Sequence, residues 1–411
     1  MSKNFILAIF FLWSASAVAQ ANLSPSLGIE VDIVYLASDY LGGRLTGTEG
    51  ELKSAKYIAA RFEQAGLKPK GDEGSWYQVF PFKQLNNPHS VNTKPELKGE
   101  GRNVIGYLDN GASTTVIIGA HYDHLGMGQV GSRYTGEADI HNGADDNASG
   151  VAAMLYLAQH LSQAKNVSNN NYLFIAFSGE ELGLFGSKYY ADNPTIDLST
   201  ANYMLNLDMV GKLNKEKVLA INGSGTSPTW NELLTNMQVG GIQTKLSASG
   251  IGASDHTSFY LKNIPSLHFF TGAHKYYHTP SDDVEIINFK GILQVSTFII
   301  SLIEKVNDKG KLAFSKTVEK EERQAARFKV TLGVMPDYVY QGEGMRIDGI
   351  IPGRPAEKAG LKDGDIIIEL GGMKISDIYK YMEALGKHEQ GQQAEVKVKR
   401  GDEVMTAKVT F

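Results

Sequence analysis

No cysteine occurs anywhere in the 411 residues of this chain. Disulfides, thiolate metal sites, a cysteine nucleophile and a lipid anchor on cysteine are therefore all excluded. Single-sign charge is scarce as well. Forty Lys and Arg stand against 45 Asp and Glu, for a formal net charge of −5, with no basic patch or block of like charge. That balance argues against a nucleic-acid partner. There is no internal repeat, no low-complexity tract and no Gly-x-Ser-x-Gly elbow, so Ser178 and Ser254 make poor nucleophiles. The apolar run at the amino terminus, residues 5–13, is too short to span a bilayer comfortably. With Lys3 before it and Ala17-Val18-Ala19 after it, the run reads as an export signal, residues 1–19, cleaved before Gln20. A periplasmic or secreted protein is expected, with no stable membrane span after cleavage.

What is present suits a large globular chain. The hydrophobic fraction is 42%, enough for a sizeable core, and the length suggests two domains, one of them large. Thr48-x-x-Glu51 reads as a capping box opening a helix, with Ala55, Ile58, Ala59, Phe62 and Ala65 at helical spacing and Gly66 ending it. Residues 103–108, 114–119, 172–177 and 203–207 read as strands, and 151–161 and 286–306 as helices. Strands alternating with helices predict an α/β fold, a mostly parallel mixed sheet flanked by helices. Residues 315–327 are charged and core-free and read as a solvated helical linker. They separate residues 20–314 from a β-rich module at 328–411 with one helix near 376–385.

Five short stretches carry the chemistry: Gly-Ala-His121-Tyr-Asp123-His124, Asp145-Asp146-Asn-Ala-Ser-Gly, Ser-Gly-Glu180-Glu181, Leu-Asn-Leu-Asp208 and Tyr277-His278-Thr-Pro-Ser-Asp. Each puts imidazole or carboxylate in a loop, most of them where a predicted strand ends. Such ends converge on the crevice where α/β proteins bind ligands. Nitrogen and oxygen donors without thiolate suit zinc, and manganese or cobalt also fit. Two metals about 3.5–4 Å apart can lower the pKa of a shared water, and a carboxylate near them can move its proton. Spacing alone does not choose between Asp145 and Asp146, or between Glu180 and Glu181. His124 and His141 read as polar loop residues, Asp255-His256 as an element shaping the cleft, and His274 as structural.

Across residues 30–308 these motifs resemble the co-catalytic di-zinc aminopeptidases, a metallopeptidase family that includes glutamate carboxypeptidase-type enzymes. The resemblance implies two zinc ions per chain, with Asp145 bridging them. His121 and Asp208 would complete one site, and Glu181 and His278 the other. It also implies Glu180 as general base, Asp123 as the carboxylate orienting the ligand histidine, Tyr277 as a donor to the oxyanion, and a cis peptide between Asp145 and Asp146. The implied function is an exopeptidase taking residues from the amino end of peptide substrates. A carboxypeptidase or other amidohydrolase on the same metals, a one-metal glutaminyl cyclase-like enzyme and a non-catalytic peptide-binding protein remain alternatives.

The carboxy-terminal stretch contains Leu332-Gly333-Val334-Met335, Ala359-Gly360-Leu361 and Asp363-Gly364-Asp365-Ile366-Ile367. It resembles a PDZ domain of the bacterial protease-associated type. That resemblance implies that Leu332, Gly333, Val334 and Met335 form the loop holding the carboxylate of a C-terminal peptide ligand, as peptides are added to such sheet edges. The bland alternative is a module that only packs on the catalytic domain.

Overall fold

In the computed structural model the described residues are 24–83, 97–317, 330–337, 340, 342–350 and 353–411. The expected export signal and most of the expected linker lie outside them. Among the described residues no helix is long and apolar enough to cross a membrane.

The amino-terminal region opens with α1 (Pro25–Leu36) and α2 (Glu49–Gln64). Thr48 caps α2 as the sequence predicts, its hydroxyl accepting from the Glu51 amide at 3.4 Å. Glu51 does not close the box onto Thr48. Its carboxylate is buried and accepts from the amides of Gly47 and Arg102 and from the hydroxyls of Ser178 and Tyr122. The residue thereby ties the helix to the loop behind the site.

Nine strands then form one sheet. They are β1 (Lys68–Pro69), β2 (Tyr77–Lys83), β3 (Lys98–Leu108), β4 (Thr115–His121), β5 (Asn171–Phe177), β6 (Ala201–Leu207), β7 (Val218–Asn222), β8 (Gln243–Ser247) and β9 (Ser266–Phe270). The spatial order is β1-β3-β5-β4-β6-β9-β7-β8, with β2 beside β3. The central run β5-β4-β6-β9 is parallel, and β7 pairs in parallel with β8. The pairings of β1, β2 and β5 with β3, and of β7 with β9, are antiparallel. The sheet is thus mixed, with its parallel part at the centre, where a residue at each carboxyl end reaches one crevice. Strands β4, β5 and β6 are buried along their whole length, consistent with helices on both faces. Helices α3 (Gly150–Gln163), α4 (Phe185–Asp192), α5 (Pro228–Asn236), α6 (His256–Tyr260) and α7 (Phe289–Val306) supply that cover.

The second sheet has β10 (Val334–Pro336), β11 (Met345–Ile350), β12 (Ile366–Leu370), β13 (Met373–Lys374), β14 (Gln393–Arg400) and β15 (Glu403–Thr410), with α8 (Pro355–Lys358) and α9 (Ile378–Leu385) against it. It has a separate core, including Leu332, Ile347, Ile367, Val396 and Val398. Ser315 and Thr317, within the expected linker, are attached to the first region. The Ser315 amide donates to the Thr226 carbonyl at 2.8 Å and the Thr317 amide to the Tyr260 hydroxyl at 3.1 Å, so these residues pack on the first region.

Candidate active site

His121 is the last residue of β4, and Asp208 follows β6 directly. The Glu180–Glu181 pair lies in the turn after β5, and His278 in a loop beyond β9. Chain reversals there are held by side chains as well as backbone. Asn147 accepts from the amides of Met209 and Gly150 and donates to the Leu207 carbonyl, pinning the Asp145–Asp146 turn to the end of β6. Only glycine fits at position 150, because a Cβ there would lie 2.3 Å from Asn147 Oδ1 and 2.4 Å from the Leu207 carbonyl. His278 itself adopts the left-handed region at φ 58°, a costly conformation for a non-glycine residue. Its carbonyl accepts from the Arg133 amide at 2.9 Å.

The carboxylate at the middle of the site belongs to Asp146. One oxygen lies 3.2 Å from His121 Nε2 and the other 3.1 Å from His278 Nε2. His121 Nε2 is also 3.4 Å from Asp208, and His278 Nε2 is 3.1 Å from Glu181. Asp145 was expected in that position and is turned the other way. Its carboxylate accepts from the Gly211 amide at 2.6 Å and the Ser149 hydroxyl at 3.0 Å, and sits 3.1 Å from His274 Nε2. The physical reason is the turn itself. Asp282 accepts from both amides, 145 and 146, at 2.9 and 3.0 Å, which fixes the peptide planes and sends successive side chains to opposite sides. The cis peptide is likewise one residue later than expected, between Asp146 and Asn147.

Both histidines present a bare lone pair to acid. His121 Nδ1 lies 3.2 Å from the Asp123 carbonyl and His278 Nδ1 lies 3.0 Å from the Gly131 carbonyl. A carbonyl only accepts, so in the neutral ring Nδ1 carries the hydrogen and Nε2 faces two carboxylates without one. That arrangement is repulsive unless positive charge, a cation or a second ring proton, sits between the groups. His121, Asp146 and Asp208 offer donor atoms within 4.8 Å of one another, and so do His124, Asp146 and Glu181. The donor set of imidazole and carboxylate, with the second ring nitrogen held by a carbonyl, fits zinc.

With no cation between them, the carboxylates draw a second proton onto each ring. Burial opposes a charged His121, but Glu180, Asp208 and Asp146 outweigh it and hold its pKa well above the ordinary value. Burial also pushes Asp146 up, and the hydrogen bonds of His121 and His278 more than reverse it, leaving the carboxyl well below its usual range. Glu181 is likewise desolvated, yet His278 and His124 bring it down to about 2. Glu180 goes the other way: burial, only partly offset by His121, raises it well above the ordinary carboxylate value. The adjacent glutamates thus differ in proton affinity.

The sequence-expected role of Asp123 changes in detail. Its carboxylate is 3.8 Å from His121 Nδ1, beyond hydrogen-bond reach, and instead accepts from the Glu180 amide at 3.2 Å and the Thr46 hydroxyl at 3.0 Å. It positions the turn carrying Glu180, while its backbone carbonyl holds the histidine. Tyr277 stacks on His278 at 3.8 Å between ring centroids and lies under the Arg133 guanidinium at 4.6 Å.

Four residues escaped the sequence reading as site components. His124 is fully buried, with Nδ1 2.7 Å from Glu181. Ser254 donates to Asp208 at 2.7 Å and His274 faces Asp145, while Asp282 holds the aspartate turn. Asp282 closes the quoted Tyr277-His278-Thr-Pro-Ser-Asp stretch, which was the one available signal. The others lie in aperiodic loops.

Residues 103–303 match the model of peptidase family M28, and residues 318–411 match the model of a PDZ domain. The chain carries an M28 peptidase domain followed by a PDZ domain. Aminopeptidase YwaD of Bacillus subtilis is 30% identical over 222 residues, 51% of this chain and 45% of that protein. Leupeptin-inactivating enzyme 1 of Streptomyces exfoliatus is 27% identical over 271 residues, 64% of this chain and 53% of that enzyme. The chain spans about half the length of these two curated relatives. Among solved structures, the zinc aminopeptidase BSAP of Bacillus subtilis superposes with a TM-score of 0.52 at 21% identity, covering 72% of this chain and 96% of that one. A glutaminyl cyclase of Bacteroides thetaiotaomicron gives 0.54 at 18% identity, covering 69% and 97%. These likenesses show a shared fold, and one fold hosts both chemistries.

The M28 domain's acidic centre opens into a cavity of ≈ 400 Å³. His121, Asp146, Glu180, Glu181 and Asp208 line it together with the apolar Met209, Ile251, Ala253 and Phe270. In the PDZ domain, the Gly333 amide donates to the Thr331 hydroxyl at 2.9 Å and the Leu332 carbonyl accepts from Ala356 at 2.8 Å. Val334 and Met335 lie in β10, at the margin of the second sheet.

Proposed function

We propose that the protein is an exported zinc aminopeptidase. The observation that carries this reading is the Asp146 carboxylate, each of whose oxygens lies against a histidine Nε2 that a second carboxylate also faces. His121, Asp146 and Asp208 would hold one zinc ion, and Asp146, Glu181 and His278 the other. His278 is preferred over His124 because its Nε2 lies 3.1 Å from both carboxylates, whereas His124 Nδ1 is 3.9 Å from Asp146. Bound zinc would lower the pKa of a water and polarise the scissile carbonyl.

The chain's own residues supply the proton transfers. Glu180, kept basic by burial, takes a proton from water as the water oxygen attacks the carbonyl carbon. It returns that proton to the amine nitrogen as the carbon–nitrogen bond breaks. Tyr277 lines the cavity, and burial, followed by the charge of Asp146, raises its pKa well above the ordinary phenol value. Its hydroxyl therefore stays protonated and available to donate to a developing oxyanion. The names of the curated relatives favour the amino end of the peptide, and residues 1–19 favour export.

Metal analysis tests the assignment. Wild-type protein should hold close to two zinc ions, and Asp146→Ala should lose both, while Asp208→Ala keeps the Glu181–His278 ion. Two zinc ions in purified Asp146→Ala would overturn the shared-carboxylate assignment.

A further inference from the structure

The catalytic cavity is not walled by the M28 domain alone. Pro336, the last residue of β10, and Met382, in the middle of α9, line the same cavity as Glu180 and Asp208. Met382 is 38% exposed, whereas its neighbours Tyr381, Ala384 and Leu385 fill the PDZ core. Its side chain is therefore not needed for that core. The PDZ domain is latched at this place by Lys245, whose ammonium donates to the Tyr340 carbonyl. Beside it, Asp337 pairs with Arg346 at 2.7 Å, and the Arg346 guanidinium covers the Tyr340 ring at 4.9 Å. Lys245 lies in β8, whose final residue, Ser247, is itself part of the cavity wall. The strand that shapes the cavity thus also carries the contact that places the second domain over it.

We propose that Pro336 and Met382 determine substrate specificity in this hydrolase, contacting the peptide residues downstream of the scissile bond. The occupant follows from continuity and chemistry. One continuous cavity is lined by the acidic centre and also by the apolar side chains of Ile251, Phe270, Pro336 and Met382. A volume of ≈ 400 Å³ is that of a site for a small ligand or a few residues of peptide. A substrate whose scissile carbonyl meets Glu180 brings its following residues within reach of the lining that Pro336 and Met382 share. A substrate ending in a simple amide or anilide makes less of that contact. The cavity consequently favours peptides with apolar residues after the cleaved bond over minimal substrates.

This inference rests on the aminopeptidase reading, and the test separates the two. In the full-length chain, Met382→Ala and Met382→Glu are compared with wild type. The substrates are an amino-acid anilide and a six-residue peptide with the same first residue and apolar residues after it. The quantity read is the ratio of peptide to anilide kcat/KM, expected to fall about tenfold for Met382→Glu and less for Met382→Ala, chiefly through KM. A second readout is independent of turnover. The same peptide, carrying a fluorophore at its carboxyl end, is titrated by anisotropy into Glu180→Gln protein with and without Met382→Glu. Weakening of about tenfold at unchanged zinc content is expected for desolvated apolar contacts. A ratio and a Kd both within twofold of their references, or a raised ratio, would overturn the proposal. If wild type cleaves neither substrate, the aminopeptidase reading fails, and the anisotropy result alone decides this one.

Discussion

At the scale of single residues, the site is organised by which nitrogen or oxygen is already occupied. Carbonyls hold Nδ1 of His121 and His278, so their Nε2 atoms remain for a cation. Hydrogen bonds occupy Asp145 and leave Asp146 free to be shared. Asp145→Asn should therefore keep both zinc ions, binding them about 10–100-fold more weakly, as when a supporting partner of a ligand is altered. Competition with a chelator reads that affinity, and total loss of zinc would return Asp145 to the ligand set. Glu180→Gln should keep its zinc and lose about 10²–10⁴ in kcat, the usual worth of a positioned proton acceptor. A near wild-type rate would mean that the base lies elsewhere. Residue identity was legible in the sequence here, and orientation was not. Asp145 and Asp146 are adjacent and chemically identical, and the choice between them is made by Asp282, more than a hundred residues away. His124 was missed for a related reason: it follows the strand by three residues, where no periodicity reports which way a side chain points.

At the scale of elements, the parallel centre of the first sheet was readable because β4, β5 and β6 are buried on both faces and appear as short apolar runs. Their marginal neighbours were less so: β2 alternates, β3 was read only from residue 103 onward, and β8 is short and largely half-buried. In the PDZ domain, Asp365 accepts two hydrogen bonds from Arg400, at 2.7 and 2.7 Å, and so joins the residue before β12 to the last residue of β14. Burial raises the Asp365 pKa, but Arg400 and the Lys362 amide outweigh it, so the folded value lies below the ordinary 3.8. A carboxylate depressed in the folded state stabilises above its unfolded pKa and loses that contribution as pH falls through the folded value. Asp365→Asn should therefore lower the unfolding temperature of the PDZ domain at neutral pH, with the deficit closing below about pH 4. A deficit that persists unchanged at pH 2 would mean that packing, not charge, is what the substitution removes.

At the scale of the whole molecule, two sheets with separate cores meet at one cavity. Because neither core borrows residues from the other, a chain ending at Thr317 should fold, bind zinc and hydrolyse an amino-acid anilide. Its efficiency on a six-residue peptide should fall about tenfold further than on the anilide. Equal losses on both substrates would make the PDZ domain a support for the fold and nothing more. The change of composition near residue 315 suggested a boundary, while Ser315 and Thr317 themselves bond to the first region. The sequence did not show that Pro336 and Met382 reach the cavity, because a contact between domains leaves no local pattern in either. The most direct test of the account is hydrolysis of one peptide presented with a free and with an acetylated amino end, each before and after exhaustive chelation. Cleavage of the free peptide alone, abolished by the chelator and restored by zinc, is the predicted result. Cleavage of the acetylated peptide at a comparable rate, or a rate indifferent to chelation, would contradict it.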